Sequence, residues 1–404
     1  MSAAPAGQEN RVAILCAGVL VLEGFDLGAM AFTLPALSEA WHLKPVAFTA
    51  ALTAGSIGLF LGSLVCGWLG DRLGRKPVLM GCVTLFGLMS LATAFATDPG
   101  TLTLARFLTG LGIGGGIPAS IALLSDFAPS RRQGGLVMAM TCGVQTGNVL
   151  GGILAARLLK PFGWPAVFVV GGIIPLALLP LLFAMLPESP SFLARRANPQ
   201  REEKKNSIAL LFAPGFARIT LLLWLINFLS LLTIYFINSW LPSMLRTLGL
   251  PTTTAILAAT MFQVGGIAGG LGSGPLVNRY GTEKIVSGLL VIGAACLILL
   301  SVAGPSIALL IALIFGMGLG ISAGQLGINA LPGAIYPPAI RNTGAGWSLG
   351  IGRLGNIGGP LFGGLLLALG WTPQNMLLAI SVPALALAAM LLVLARARSD
   401  VPST

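Results

Sequence analysis

Charge is the scarcest resource in this 404-residue chain. Asp, Glu, Lys and Arg make up 9% of it against 55% hydrophobic residues, where a soluble domain carries about 25% charged residues. A water-exposed globule of this length could not cover its surface with so few ions, so a soluble enzyme is excluded. Histidine is almost missing: His42 is the only one, in a short loop beside Trp41 and Lys44. The five cysteines (Cys16, Cys66, Cys82, Cys142 and Cys296) all fall inside apolar runs, and no C-x-x-C occurs. They read as small apolar packing residues. Metal chemistry built on His and Cys therefore has no material to work with, and no cofactor is expected. GLGIGGG, from Gly110, follows no strand pattern and ends in no GK[ST], so it is not a nucleotide loop. The net charge of +11 is dispersed at the ends of apolar runs. No basic stripe alternates with aromatics, which excludes a nucleic-acid partner.

What is present in abundance is long apolar sequence. At roughly 20 residues per bilayer crossing, the chain has room for about twelve. They read at 12–37, 46–69, 78–96, 101–127, 135–158 and 165–186, and again at 218–241, 253–277, 284–303, 306–333, 344–369 and 374–394. The first run is too long for a signal-peptide core and carries two acids, so it reads as a crossing. The expected fold class is an all-α membrane protein of 12 transmembrane helices in two six-helix, pseudo-symmetric bundles. The expected domains are 1–186, a polar linker over 187–217, and 218–404.

Of the 23 Lys and Arg, Arg106 and Arg353 fall within crossings. Lys44, Arg157, Lys160 and Arg246 fall on one side, and the other seventeen on the side of both termini and the linker. That bias places the termini and the linker in the cytoplasm. The halves also echo each other. GWLGDRLGRK at Gly67–Lys76 returns as GPLVNRYGTE at Gly274–Glu283, an offset of 207, and GNVLGG from Gly147 returns as GNIGGP from Gly355, an offset of 208. A six-crossing unit used twice with the same polarity is a parallel repeat.

The Gly67–Lys76 stretch matches the G-x-x-x-D-R-x-G-R-K signature of major facilitator transporters. Gly67 and Gly70 are expected to let helices approach closely, and Gly74 to permit a tight turn. Asp71 is expected to cap the positive end of the eleventh crossing. Asp71, Arg72, Arg75 and Lys76 would then form a gate latch; a solvated positive-inside loop explains the cations but not Asp71 and the spaced glycines. The second copy has Asn278 where the first has Asp71, which makes the latch asymmetric.

Glu23 and Asp26 lie roughly 18 and 22 Å along the first crossing, counted from Arg11 at 1.5 Å per residue, on one helix face. Two intramembrane acids must face a wet cavity, be paired, or stay protonated. A proton-carrying role and a structural pair with an arginine both fit. Arg106 opens the fourth crossing and could pair, bind a ligand or snorkel outward. Arg353 sits about mid-crossing in the eleventh, and its repeat counterpart is the neutral Gln145; a charge present in one half only fits a carboxylate anchor. Gln325 and Asn329, at i, i+4 in the tenth crossing, could line a cavity. Tyr235, Asn238 and Trp240 in the seventh could form an aromatic wall for a flat amphipathic ligand. Interhelical packing explains these as well, and an interfacial belt is the preferred role for Trp240.

In combination these features resemble the aromatic acid:proton symporters of the major facilitator superfamily, over nearly all of residues 11–395. The resemblance rests on Glu23–Asp26, Gly67–Lys76, RFLTGLGIGGGIP at Arg106–Pro118, LPESP at Leu186–Pro190, and the stretch Gly324–Pro360 with its Tyr-Pro turn, Arg341 and G-x-G-R. It implies import of a small aromatic carboxylate with protons, across a bacterial inner membrane, by a monomer. By position it assigns proton coupling to Asp26 and Glu23, and gating to Gly67, Asp71, Arg72, Gly74, Arg75 and Lys76. Substrate binding would fall to Arg353, Arg106, Gln325, Asn329, Tyr235, Asn238 and Gln145. Glu23, where many hydroxybenzoate carriers have aspartate, is similar to the hydroxyphenylpropionate type. The rival expectations are a proton antiporter exporting drugs or organic acids, and a carrier of a non-aromatic carboxylate.

Overall fold

A computed structural model of the protein describes residues 8–197, 208–213, 216–304, 306–337 and 340–399. Every long element among them is a helix: α1 (Gln8–Ala40), α2 (Thr49–Leu73), α3 (Arg75–Ala94), α4 (Pro99–Phe127), α5 (Ser130–Phe162), α6 (Pro165–Met185) and the short α7 (Pro190–Ala197). Then follow α8 (Ala217–Thr247), α9 (Thr252–Tyr280), α10 (Thr282–Val302), α11 (Ile307–Met317), α12 (Ala323–Ile335), α13 (Arg341–Ala368) and α14 (Pro373–Ser399). A π-helical turn, Gly318–Ser322, joins α11 to α12, so the two make a single stretch, Ile307–Ile335.

Among the described residues, 11 helices are long and apolar enough to cross a bilayer. The remaining expected crossing is α13. Its 28 residues reach about 42 Å at 1.5 Å per residue, ample for a hydrocarbon core of about 30 Å. Its polar residues, Arg341, Ser348, Arg353 and Asn356 among them, dilute its hydropathy.

The chain divides into two compact units, Met1–Glu203 and Lys204–Thr404. In the first, α1 packs along α5, α2 along α4, and α3 against α4 and α6. In the second, α8 packs along α13, α9 along α11 and the π turn, and α10 against α14. Counted as crossings, each unit pairs its first with its fifth, its second with its fourth and its third with its sixth. The sequence repeat is thus a repeat of packing.

Small residues make these pairings tight. A Cβ at Gly58 or Gly62 of α2 would collide with the backbone of α4, and one at Gly265 of α9 with the backbone at Phe315. The helices therefore meet backbone to backbone, as close packing in lipid requires. The turn between α2 and α3 depends on Gly74 at φ +104°, and the offset of 207 maps it onto Gly281 at φ +89° between α9 and α10. Both lie in the left-handed region that favours glycine. Within the first unit Leu20, Phe86 and Leu123 belong to one buried apolar cluster; within the second, Ile226, Leu290 and Leu387 do. Leu64, Ile173, Phe183, Leu271, Val291 and Leu299 stand exposed, a face suited to hydrocarbon rather than water.

Candidate functional site

The first unit holds a buried ion pair. Arg106 of α4 donates from Nη2 to Asp26 Oδ2 of α1 at 2.9 Å, with side-chain exposures of 5% and 2%. Ser90 of α3 donates to the other carboxylate oxygen at 2.8 Å and lies 3.2 Å from the Phe168 carbonyl of α6. The guanidinium carbon stands 5.2 Å from the Phe168 ring centroid. Four helices thus converge on one carboxylate, and Arg106 turns inward instead of snorkelling. From Phe168 an aromatic series continues through Trp164 to Trp41 and Phe48, with centroids about 6 Å apart at each step.

Glu23, one helical turn away, has a different environment. It is fully buried, and neither carboxyl oxygen has a hydrogen-bond partner among the described residues. A Cβ at Gly116 of α4 would collide with its carboxyl group, so glycine there makes the space. Asp26 already neutralises Arg106. An ionised Glu23 would be an uncompensated buried charge, which costs several kcal/mol; the neutral acid is the form this environment accommodates. The i, i+3 spacing puts both acids on one face of α1, but packing gives one a cation and the other none.

The second unit carries amides and hydroxyls. Ser230 of α8 donates to Gln325 Oε1 of α12, and Gln325 passes the chain on through Nε2 to Asn329 Oδ1 at 2.8 Å. Gln263 of α9 donates to Asn238 of α8 at 2.9 Å, and Asn227 of α8 to Ser348 of α13 at 2.8 Å. Arg353, half-buried on α13, lies close enough to Tyr235 for the two to interact electrostatically. Asn356, one turn on, is buried with an Oδ1 that finds no partner among the described residues. Trp240 is fully buried and donates to the Pro360 carbonyl at 3.2 Å, so it packs two helices together and belongs to no interfacial belt. The π turn precedes this array by one helical turn; such bulges re-aim the face that follows. Gln145, the counterpart of Arg353, is half-buried on α5.

At the α2–α3 hairpin the expected latch residues divide. A Cβ at Gly67 or Gly70 would meet nothing within 4 Å, so neither supports the close helix approach expected of it. Asp71 is exposed, and Arg72 lies over the Trp68 ring at 4.0 Å. Arg75 forms an ion pair with Asp126 at the end of α4 and donates to the Ala122 carbonyl at 2.8 Å. Asp126 also accepts from Ser189 and from Ser191, the latter at 2.9 Å. Glu188 accepts from the backbone N–H groups of Arg75 and Lys76 at 2.9 and 3.1 Å, placing a negative charge on the positive end of α3. Lys76 donates to the Phe183 carbonyl at 2.8 Å. The hairpin is thereby tied to α4, α6 and the start of α7, all within the first unit.

Known proteins share both the sequence pattern and the fold. The Major Facilitator Superfamily matches residues 16–243 and again 223–404. The chain belongs to it. A gallate transporter of Pseudomonas putida is 35% identical over 412 residues, covering 96% of this chain and 92% of that protein. A 3-(3-hydroxy-phenyl)propionate transporter of Escherichia coli is 38% identical over 374 residues, covering 91% and 90%. Among solved structures, a D-xylose-proton symporter superposes with a TM-score of 0.76 at 19% identity, covering 94% and 96%, which bears on the fold alone. Family and homologues are transporters, and the protein is not an enzyme.

For a major facilitator protein the rare intramembrane charges are visible in sequence; their partners are not. Ser90, Gln263 and Ser230 escape notice because a single Ser or Gln in a crossing is common packing material. Asp126 and Glu188 carry a weak signal, one an acid in the last turn of a crossing and the other inside LPESP.

Proposed function

We propose that this major facilitator carrier imports an aromatic carboxylate, of hydroxybenzoate or hydroxyphenylpropionate type, together with protons by alternating access. The names of the gallate and hydroxyphenylpropionate relatives support the cargo. The observation that carries the coupling is the pair of unlike acids on α1: Asp26 held by Arg106, and Glu23 buried with no hydrogen-bond partner among the described residues. With Asp26 paired to Arg106 and Glu23 meeting no cation among the described residues, this group of charges is neutral only when it holds one proton. Loss of that proton leaves a net negative charge in a dry interior, which the carrier must avoid before it reorients. The second unit supplies the cargo's contacts. Arg353 anchors the carboxylate, Tyr235 offers a ring face, and Gln325, Asn329 and Asn238 offer amides to ring hydroxyls; Gln145 of α5 offers a further amide in the first unit. Arg106 is paired with Asp26 and reaches substrate only where that ion pair opens. Gly67, Asp71, Arg72, Gly74, Arg75 and Lys76 belong to the gate. The positive-inside bias supports cytoplasmic termini and an inner-membrane protein, and a monomer suffices, since each unit contributes its own part.

Uptake into proteoliposomes tests this. Labelled 4-hydroxybenzoate or 3-(3-hydroxyphenyl)propionate should accumulate against its gradient when the lumen is alkaline, and a protonophore should abolish accumulation. Asp26→Asn should lose gradient-driven uptake while retaining substrate exchange. Unchanged dependence on the proton gradient in Asp26→Asn, or efflux driven by the same gradient, would overturn the reading.

A further inference from the structure

The sequence treats all five cysteines as packing residues, but two of them meet. Cys66 of α2 and Cys82 of α3 are both free thiols, with sulfurs 3.6 Å apart. Each lies seven residues from the hairpin end of its helix, about 10 Å along it at 1.5 Å per residue, so the two stand at matched depth. Val78 and Leu69 close around them. The space comes from α4: a Cβ at Gly115 would collide with both sulfurs. Cys16, Cys142 and Cys296 sit on α1, α5 and α10.

The spacing discriminates between two kinds of thiol chemistry. A disulfide holds its sulfurs at about 2.05 Å, so this pair would have to close by roughly 1.5 Å within a packed junction. Trivalent arsenic is pyramidal, its lone pair narrowing the S–As–S angle to about 95–100°, so two sulfurs held at about 2.3 Å, a length typical of thiolate bonds to one heavy atom, stand roughly 3.4 Å apart. The observed 3.6 Å is within about 0.2 Å of that spacing and about 1.5 Å from a disulfide.

We propose that Cys66 and Cys82 form a dithiol modification site for a single bridging thiophilic atom, specifically the arsenic of a trivalent organoarsenical. The reaction balances without an oxidant. Both S–H bonds and the As=O bond break, two As–S bonds form, the oxygen leaves as water with both protons, and arsenic stays trivalent. The product is a one-atom staple across the hairpin that carries Gly67–Lys76. Its effect on transport rests on the carrier reading above; the binding chemistry does not.

Phenylarsine oxide on the full-length protein is the probe, because it is small, apolar and partitions into bilayers. Intact mass should show one adduct that resists 2-mercaptoethanol and is removed by 2,3-dimercaptopropanol. The adduct should persist when Cys16, Cys142 and Cys296 are all replaced by serine, and vanish in Cys66→Ser and in Cys82→Ser. Uptake by the wild type should fall about tenfold and recover with the dithiol, while the two single variants stay insensitive. A resistant adduct that survives either single substitution, or its absence from the triple variant when that variant retains uptake, overturns the site. A correct adduct with uptake unchanged overturns the staple's effect on transport and leaves the site standing. If no aromatic acid is transported at all, the carrier reading fails and the mass measurement still decides the site.

Discussion

The two units keep polar groups inside the membrane by different means. In α1–α6 the polarity is ionic: Asp26 and Arg106 are paired and almost fully buried, and Glu23 lies one turn away with no partner among the described residues. In α8–α14 it is mostly amide and hydroxyl, with Ser230, Gln325 and Asn329 in one chain, Asn238 and Gln263 in another, and Arg353 beside Tyr235. A buried ion pair is costly to assemble and far more costly to break by removing one partner. An amide chain is satisfied by modest hydrogen bonds that exchange readily with a ligand's own polar groups. The first unit thus holds its buried polarity as charge and the second mostly as hydrogen bonds, although both derive from one repeated pattern of packing.

The largest effect should come from breaking the ionic half of that contrast. Asp26→Ala strands Arg106 in a dry site and should destabilise the protein by about 3–5 kcal/mol, read as thermal unfolding in detergent. Asp26→Asn with Arg106→Gln removes both charges and should recover most of that loss without restoring transport. Arg353→Ala in the other unit should cost much less stability, on the order of 1 kcal/mol, while abolishing uptake. Equal losses of stability from Asp26→Ala and Arg353→Ala would erase the distinction between the units.

Glycine substitutions sharpen the same contrast at smaller scale. Gly116→Ala drives a methyl into the Glu23 carboxyl and should cost about 1–3 kcal/mol through overpacking, with rescue by Glu23→Ala. At Gly350 of α13 a Cβ would meet nothing within 4 Å, so Gly350→Ala should be neutral, or stabilising by up to about 1 kcal/mol from helix propensity. Failure of Glu23→Ala to rescue Gly116→Ala would show that the two residues do not share that space. In the amide half, Ser230→Ala removes one donor from Gln325 and should cost roughly 1 kcal/mol in the same unfolding assay.

The smallest expected effect is outside the membrane. Asp98 caps α4, accepting from the N–H groups of Thr101 and Gly100, and these bonds, that of Thr101 foremost, hold its carboxyl below the usual value. A depressed acid stabilises the fold above its unfolded value, about 3.9, and loses that contribution as pH falls through the lower folded value. Asp98→Asn should therefore unfold slightly earlier than wild type at pH 6, with the gap narrowing below pH 4. A gap that widens on acidification would contradict the capping account.

Much of the fold and part of the site are legible in the residue order. Asp26, Arg106 and Arg353 stand out because a charge inside an apolar run is expensive and therefore rare. Gly74 stands out because a turn this short between two helices calls for a left-handed residue, and it adopts φ +104°. Gly67 and Gly70 differ: a spaced glycine is a permission for close approach, and among the described residues nothing lies within 4 Å of a Cβ built at either. Ser90 and Gln263 carry no signal, because their importance comes only from what they touch.

Hydropathy and helical rise are local properties, so the residue order alone determined the solvent, the crossings, their duplication and which crossings carry a charge. Contacts between helices depend on how far each is rotated about its axis and how closely backbones approach, quantities that spacing along one chain does not encode. Packing therefore decided that Asp26 rather than Glu23 receives the guanidinium, that Gln325 joins Ser230, and that two cysteines sixteen positions apart share one small space beneath Gly115.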